Sequence, residues 1–279
     1  MPVTDQLVNE AMKALSLEPV RALRDGGQKT VRLVRRAGEE LVLKVVAVGS
    51  SSPDALERAR REVDLLAQID HPNVVSAKSS LCELGDPPQG VAWLEEFLDG
   101  SDLSDIQGSD PWTWEQAAAL GLDAGRGLSA LHDLKVVHRD LSTNNLRRIS
   151  AGQYVLMDPG FARHTLRSGL TVGGQPGTLG FLTPEHLQSY SGSPTAASDV
   201  FGVGILLFLV LTTEFPIPHT GDDGDYLRRV AMGESQDLEL LRPDLAPERI
   251  AVIRRMLHSQ PARRYLNGHA LIEALEGLS

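Results

Sequence analysis

Apolar residues in the first stretch of the chain recur at helical spacing. Val3, Leu7, Val8, Ala11, Met12 and Leu15 fall on one face and predict a short amphipathic helix over 3–17 that packs on a larger body. From Val20 to Val48 the period changes. Val31, Leu33, Leu41, Leu43 and Val45 alternate or cluster as strand residues do, and Arg36-Ala-Gly-Glu39 supplies a turn between them. Ser52-Pro53-Asp54 then opens a helix over 54–69, with Leu56, Val63, Leu66 and Ile69 on one face, and His71-Pro72-Asn73 stops it. Two more strand-like runs, Val74–Leu84 and Val91–Leu98, flank the loop Gly85–Gly90.

After Gly100 the helical period dominates. Trp114–Leu134 and Ser198–Thr212 are the clearest helices, and 226–231, 247–258 and 268–277 are shorter ones. Between them runs Asp158 to Pro194, irregular and rich in Gly, Thr, Ser and Pro; a loop of that length inside a compact domain usually carries function. The predicted plan is a small strand-rich N-terminal lobe, a connector near 97–101 and a larger helical C-terminal lobe.

Composition narrows the function. A chain of 279 residues with 42% hydrophobic content suits one two-lobed domain or two small ones. A net charge of -10 argues against a general nucleic-acid binder, which needs a basic face to displace counterions. Cys82 is the single cysteine, so an intrachain disulfide is impossible; a partly buried thiol in a reducing cytoplasm is the expectation. Met1 to Leu17 lacks the long apolar block of a signal peptide. The most apolar stretch, the twelve residues Val200 to Leu211, falls short of the roughly 20 that a membrane span needs and reads as a buried helix. A soluble, cytoplasmic protein without a membrane partner is therefore expected.

Candidate chemistry centres on His138-Arg139-Asp140-Leu141 and Asn145. An Asp and an Asn five residues apart on one loop can serve one phosphate: the carboxylate orients or accepts the proton of an attacking hydroxyl, and the amide oxygen is a hard ligand for Mg²⁺. Asp158-Pro159-Gly160, after the strand-like Tyr154–Met157, can hold a second edge of the metal. Upstream, Lys44 sits inside the apolar Leu41–Val46 run, where a buried ammonium needs a partner; Glu62 on the following helix is the natural one. The eight histidines show no metal-ligand spacing, and His138 reads as a core residue.

Taken in order, these pieces resemble the eukaryotic-type (Hanks-type) Ser/Thr protein kinase family, in the manner of its small soluble prokaryotic members. The resemblance runs from about 19 to 275. Leu41–Val46 is similar to the lysine strand, Arg61-Glu62-Val63 and His71–Val74 to the regulatory helix and the loop after it, and Glu96–Gly100 with Leu103 to the hinge. Leu131 to Asn145 is similar to the catalytic loop, Asp158–Arg163 to the metal-binding turn, and Gly177–Glu185 to the substrate-docking segment. Ser198–Gly204 opens the central helix, and Arg264 stands where the family places the partner of Glu185.

The resemblance implies an α+β, bilobal protein-kinase fold. It places an N-terminal helical extension at 1–18 and a kinase domain at 19–279, divided into a β-rich N-lobe with one regulatory helix (19–97) and an α-helical C-lobe (98–279). It implies ATP and Mg²⁺ as cofactors, a protein substrate, and Ser/Thr phosphotransfer with autophosphorylation in the activation segment. Asp140 is the implied base, Lys44 pairs with Glu62 and binds phosphate, and Asn145 and Asp158 hold the metal. Gly26, Gly27, Val31, Val42, Glu96, Leu98 and Asp102 border the nucleotide, and Asp199 anchors the catalytic loop. Arg139 beside Asp140 implies a phosphorylated segment, with Thr171 first, then Ser168 and Thr165, as candidates.

Several positions depart from the family pattern. Arg24 and Lys29 replace glycines of the phosphate loop, Pro159 replaces the usual phenylalanine, and Ser142 the usual lysine. Lys29 reads either as a solvated loop lysine or as a charge aimed at phosphate. Val42, Glu95 (the gatekeeper position) and Arg147 are unusual around adenine; Arg147 either points outward or lies beneath the base, paired with a carboxylate. These departures keep open a pseudokinase, or nucleotide-binding scaffold, as the alternative. A small-molecule kinase of the antibiotic-phosphotransferase kind is disfavoured by Arg139 and by the Thr178–Glu185 segment.

Overall fold

The computed structural model describes residues 3–25, 29–48, 55–159, 180–187 and 194–278. Gly26, Gly27, Thr165, Ser168, Thr171 and Thr178 lie outside the described residues. The chain divides into two compact units, Met1–Asp99 and Gly100–Ser279, and the division falls inside the connector expected at 97–101.

The first unit is built on an antiparallel sheet of order β1-β2-β3-β5-β4: β1 (Glu18–Ala22), β2 (Lys29–Arg36), β3 (Glu39–Ala47), β4 (Cys82–Leu84) and β5 (Gly90–Glu96). The predicted turn joins β2 to β3 through Ala37 and Gly38, both at positive φ (51° and 87°). The period of two along β3 divides its side chains between two helices. Leu41, Leu43 and Val45 pack with Leu7, Val8 and Ala11 of α1 (Asp5–Ala14). Val46, with Val91 and Trp93 of β5, packs with Ala55, Ala59 and Val63 of α2 (Ala55–Leu66). Helix α1 is capped by the Thr4 hydroxyl, which accepts from Leu7 N at 3.3 Å, and Glu10 accepts from Gly85 N at 2.8 Å. The amino-terminal helix thus packs into the core of the first unit through the apolar face that its spacing predicts.

The strand expected over Val74–Leu84 shortens to Cys82–Leu84. Its first part touches β5 only through an isolated bridge, Ala77 to Glu95, and a few single bonds such as Lys78 N to Leu94 O. The Ser79 hydroxyl accepts from Leu94 N at 2.9 Å and so takes a donor that a regular ladder would have paired with a carbonyl.

In the second unit, β6 (Gly100–Asp102), β7 (Leu146–Ile149) and β8 (Tyr154–Leu156) form a small antiparallel sheet, with α3 (Leu103–Ile106) after β6. Helix α4 (Trp114–Asp133) opens on a capping box between Thr113 and Gln116. Beyond it come α5 (Pro184–Leu187), α6 (Ala196–Thr212), α7 (Asp223–Met232), α8 (Leu238–Leu241), α9 (Pro247–Met256) and α10 (Gly268–Glu276). Helix α6 is buried from Ala197 to Thr212, as an all-round apolar helix must be. Gly202 on it lets Leu141 of the catalytic loop approach: a Cβ there would stand 3.0 Å from Leu141 Cβ. That contact seats the loop on the most buried helix of the unit.

Candidate active site

The loop His138–Asn145 lies between α4 and β7, and its shape is set by Asp199 at the start of α6. Asp199 is 2% exposed and its carboxylate accepts from His138 N (2.7 Å) and Arg139 N (2.9 Å). His132 Nε2 lies 3.0 Å from the same carboxylate. Because His132 Nδ1 accepts from Gly268 N at 3.1 Å, the neutral ring carries its proton on Nε2 and donates to Asp199. Arg139 has φ 67° and Asp158 φ 48°, a region that costs a non-glycine residue about 1–3 kcal/mol. At Arg139 the bond from its own N–H to Asp199 offsets that strain.

His138 is fully buried, as predicted. Its Nε2 meets Met157 O at 3.1 Å and its Nδ1 faces Asp140 N at 3.4 Å. The histidine thereby ties the loop to the segment that leads into Asp158. Asp140 itself is exposed, and Asn145 Nδ2 donates to its carbonyl (2.7 Å) and reaches its Oδ2 (3.3 Å). Met157 N donates to Asn145 O at 2.9 Å, which sets Asp158 next in chain to a residue bonded to Asn145. Asp140, Asn145 and Asp158 are therefore gathered within one unit. With Nδ2 turned to Asp140, Asn145 has its amide oxygen as the atom that can ligate a metal. An amide oxygen with a carboxylate is the hard oxygen set that suits Mg²⁺.

Asp102 and Arg147 stand opposite each other where β6 pairs with β7. Arg147 donates through one terminal nitrogen to Asp102 Oδ1 and through the other to Gly100 O, both at 2.6 Å. The carboxylate that Arg147 pairs with is that of Asp102. Asp102, expected beside a ribose, is a partner of this guanidinium. Gly100 permits the close pass of β6: a Cβ there would collide with the Arg148 carbonyl.

In the first unit, Lys44 is 6% exposed in β3, and its Nζ lies 2.7 Å from Glu95 Oε2. Glu62, 7% exposed on α2, receives Lys29 Nζ at 2.7 Å. Two ion pairs here go beyond the pairing of Lys44 with Glu62 that the sequence suggests: Lys44 with Glu95, and Lys29 with Glu62. Lys29 is the first residue of β2 rather than a solvated loop lysine. Val31 lies opposite Lys44, and Val42 opposite Glu95. Glu96 ends β5, with its carboxylate accepting from Ser76 N at 2.7 Å, and Leu98 follows it, partly buried. The signal for Glu95 was available in the sequence: an acidic residue inside the apolar Val91–Leu98 run must find a cation or lose its charge.

The pair expected between Glu185 and Arg264 is present in bidentate form, at 2.6 and 3.0 Å. Burial by itself would raise the Glu185 carboxyl, but hydrogen bonds and charge from Arg264, with Ser198, hold it below the usual carboxylate range.

A sheet unit carrying a buried lysine and a helical unit carrying an Asp–Asn loop define the class, and comparison with known families agrees. The family model described as "Protein kinase domain" matches residues 18–273, and the chain belongs to that family. Members of this family use ATP and Mg²⁺. Among relatives, the chain is 29% identical to "Mitogen-activated protein kinase kinase 7" of Arabidopsis thaliana, over 80% of this chain and 72% of that protein. It is 29% identical to "Tyrosine-protein kinase MasK" of Myxococcus xanthus, over 99% of this chain and 46% of the relative. It is 30% identical to "Serine/threonine-protein kinase PknB" of Mycobacterium tuberculosis, over 86% of this chain and 39% of the relative. The chain thus spans less than half the length of these two bacterial relatives. No helix among the described residues is long and apolar enough to cross a membrane.

Proposed function

We propose that this chain transfers the γ-phosphate of ATP to serine or threonine hydroxyls of a protein substrate. The observation that carries the reading is the Asp140 loop: its backbone is tied to Asp199, and Asp140 and Asn145 are bonded to each other. On this reading Asp140 orients the attacking hydroxyl and takes its proton, while Asn145 and Asp158 hold the metal. Bound Mg²⁺ supplies charge neutralisation at the phosphates. Lys44 binds the α- and β-phosphates, and its retained positive charge offsets charge that grows on the phosphoryl oxygens. Val31 and Val42 cover the base, and the Glu96 carbonyl and the Leu98 amide bind its edge.

The Ser/Thr preference rests on Thr178 with Pro184 and Glu185, a segment that resembles the docking segment of Ser/Thr kinases. The relative named for serine/threonine supports it, although another is named for tyrosine. Autophosphorylation is proposed in the segment of Thr165, Ser168 and Thr171, with Arg139 as the receiving cation. A second reading, a nucleotide-binding scaffold with weak transfer, is favoured by Ser142 and by the engagement of Asp102 with Arg147.

The deciding experiment incubates the purified chain with labelled ATP, Mg²⁺ and a generic protein substrate, beside Asp140→Asn. Label on serine or threonine, reduced about 100-fold or more in the variant, is the expected result. Incorporation equal in both proteins, or label confined to tyrosine, overturns the proposal.

A further inference from the structure

The small sheet of the second unit has two unlike faces. On one, the paired residues Leu146 and Leu156 are fully buried. On the other, the period of two sets Arg147 of β7 between Asp102 of β6 and Val155 of β8. The bond from Met157 N to Asn145 O continues the β7–β8 ladder by one pair, so Asn145, two residues before Arg147, falls on that same face. The Cα atoms of two such residues stand about 6.7 Å apart. A ribose spans a distance of that order between a base and its phosphates. A nucleotide whose metal and phosphates sit at Asn145 can therefore bring its base over Arg147. The guanidinium there is fixed in direction. One terminal nitrogen donates to Asp102 Oδ1 and the other to Gly100 O, both at 2.6 Å. Two bonds made in the plane of a rigid fork hold the plane itself. The Arg147 side chain keeps 21% of its surface exposed, so part of the held group is open to a ligand.

We propose that Arg147 is a platform for the base of the nucleotide, with Asp102 as its positioning residue, and that the pair favours a purine over a pyrimidine. The idea rests on the phosphotransfer reading above for where the phosphates lie. A planar, delocalised cation stacks on the π-face of a base, and the two rings of a purine offer it more area than the single ring of a pyrimidine. Lysine carries a compact ammonium and presents no such plane. Asp102 contributes in two ways. It fixes the angle of the guanidinium, and it neutralises the charge locally, so that Arg147 acts through its face more than as another phosphate-binding cation.

The test uses the full chain with Mg²⁺ and measures ADP and CDP by competition against a fluorescent ADP analogue, beside the melting temperature of each variant. ADP and CDP share their sugar and phosphates and differ only in the base. Arg147→Ala and Arg147→Lys should each weaken ADP about fivefold or more and CDP less than about twofold. Asp102→Asn keeps the shape and an acceptor oxygen and loses the charge; it should weaken ADP about threefold and CDP less. A sugar contact made by Asp102 would instead weaken both nucleotides alike, and that result overturns its positioning role. Equal losses of ADP and CDP in the Arg147 variants, or no loss, overturn the platform. So does a lysine variant with the parent's preference between the two bases, since it would show that charge suffices without the plane. A parent that binds Mg²⁺-ADP and transfers phosphate while its preference is unmoved by these substitutions defeats this proposal alone. A parent that binds neither nucleotide defeats the phosphotransfer reading, and the platform falls with it.

Discussion

Replacing Arg264 with alanine tests the structural logic of the second unit most sharply. Its side chain is fully buried, and all five guanidinium N–H donors have acceptors within reach. Nε donates to His258 O (2.6 Å); one terminal nitrogen serves Glu185 Oε1 (2.6 Å) and Ala197 O (3.0 Å); the other serves Glu185 Oε2 (3.0 Å) and Ser259 O (3.0 Å). The Phe201 ring lies 4.6 Å below it. Alanine would leave Glu185, with a side chain 8% exposed, without its cation, and would take a donor from three backbone carbonyls. Breaking a buried pair from one side costs about 3–5 kcal/mol. Much of the marginal stability of a domain is therefore at stake. Urea unfolding of parent and variant measures the difference, provided the slope of the transition is unchanged. A loss below about 1 kcal/mol would refute the reasoning, because it would mean that water reaches the pair or that Glu185 sheds its charge without penalty.

Glu185→Gln should cost less than Arg264→Ala near neutral pH, and its cost should depend on pH. The Glu185 carboxyl titrates below its usual value in the folded chain, so its contribution is fully present above the unfolded value near 4.5 and fades as pH falls through the folded one; unfolding curves of parent and variant should converge in acid. Asp199→Asn removes charge from the acceptor of two backbone amides, and should reduce phosphotransfer about 100-fold, with a fall in melting temperature; turnover like the parent's would deny Asp199 its role in shaping the loop. Arg147→Met releases Asp102 from its ion pair and should change the KM for ATP by more than about threefold, while a steady-state comparison showing no change would place the Asp102–Arg147 pair away from the nucleotide. Finally, a Thr165/Ser168/Thr171 triple alanine chain should lose most activity on a protein substrate, and full activity with no phosphate found in that segment of the parent would remove the proposed phosphate switch.

The sequence alone carried whatever depends on local pattern and motif order. The all-apolar run before Thr212 could only be a buried helix, the Ala37-Gly38 turn announced the hairpin of β2 and β3, and the ordered motifs led to Asp199, to Glu185 with Arg264 and to the family. Strand β1 was silent because all five of its residues are exposed, so no apolar alternation marks it. The tertiary structure decided what depends on distance between residues of the same kind. Lys29, Lys44, Glu62 and Glu95 share one face of the first unit, and sequence spacing cannot rank the pairings among two cations and two carboxylates. The register of β3 against β5 brought Glu95 to Lys44, and Trp93 turned its carboxylate. In the same way the register of β6 against β7, which sets Asp102 opposite Arg147, supplied the carboxylate that this arginine pairs with. Ion pairs answer to geometry at the scale of a single hydrogen bond, and only the folded sheet supplies it.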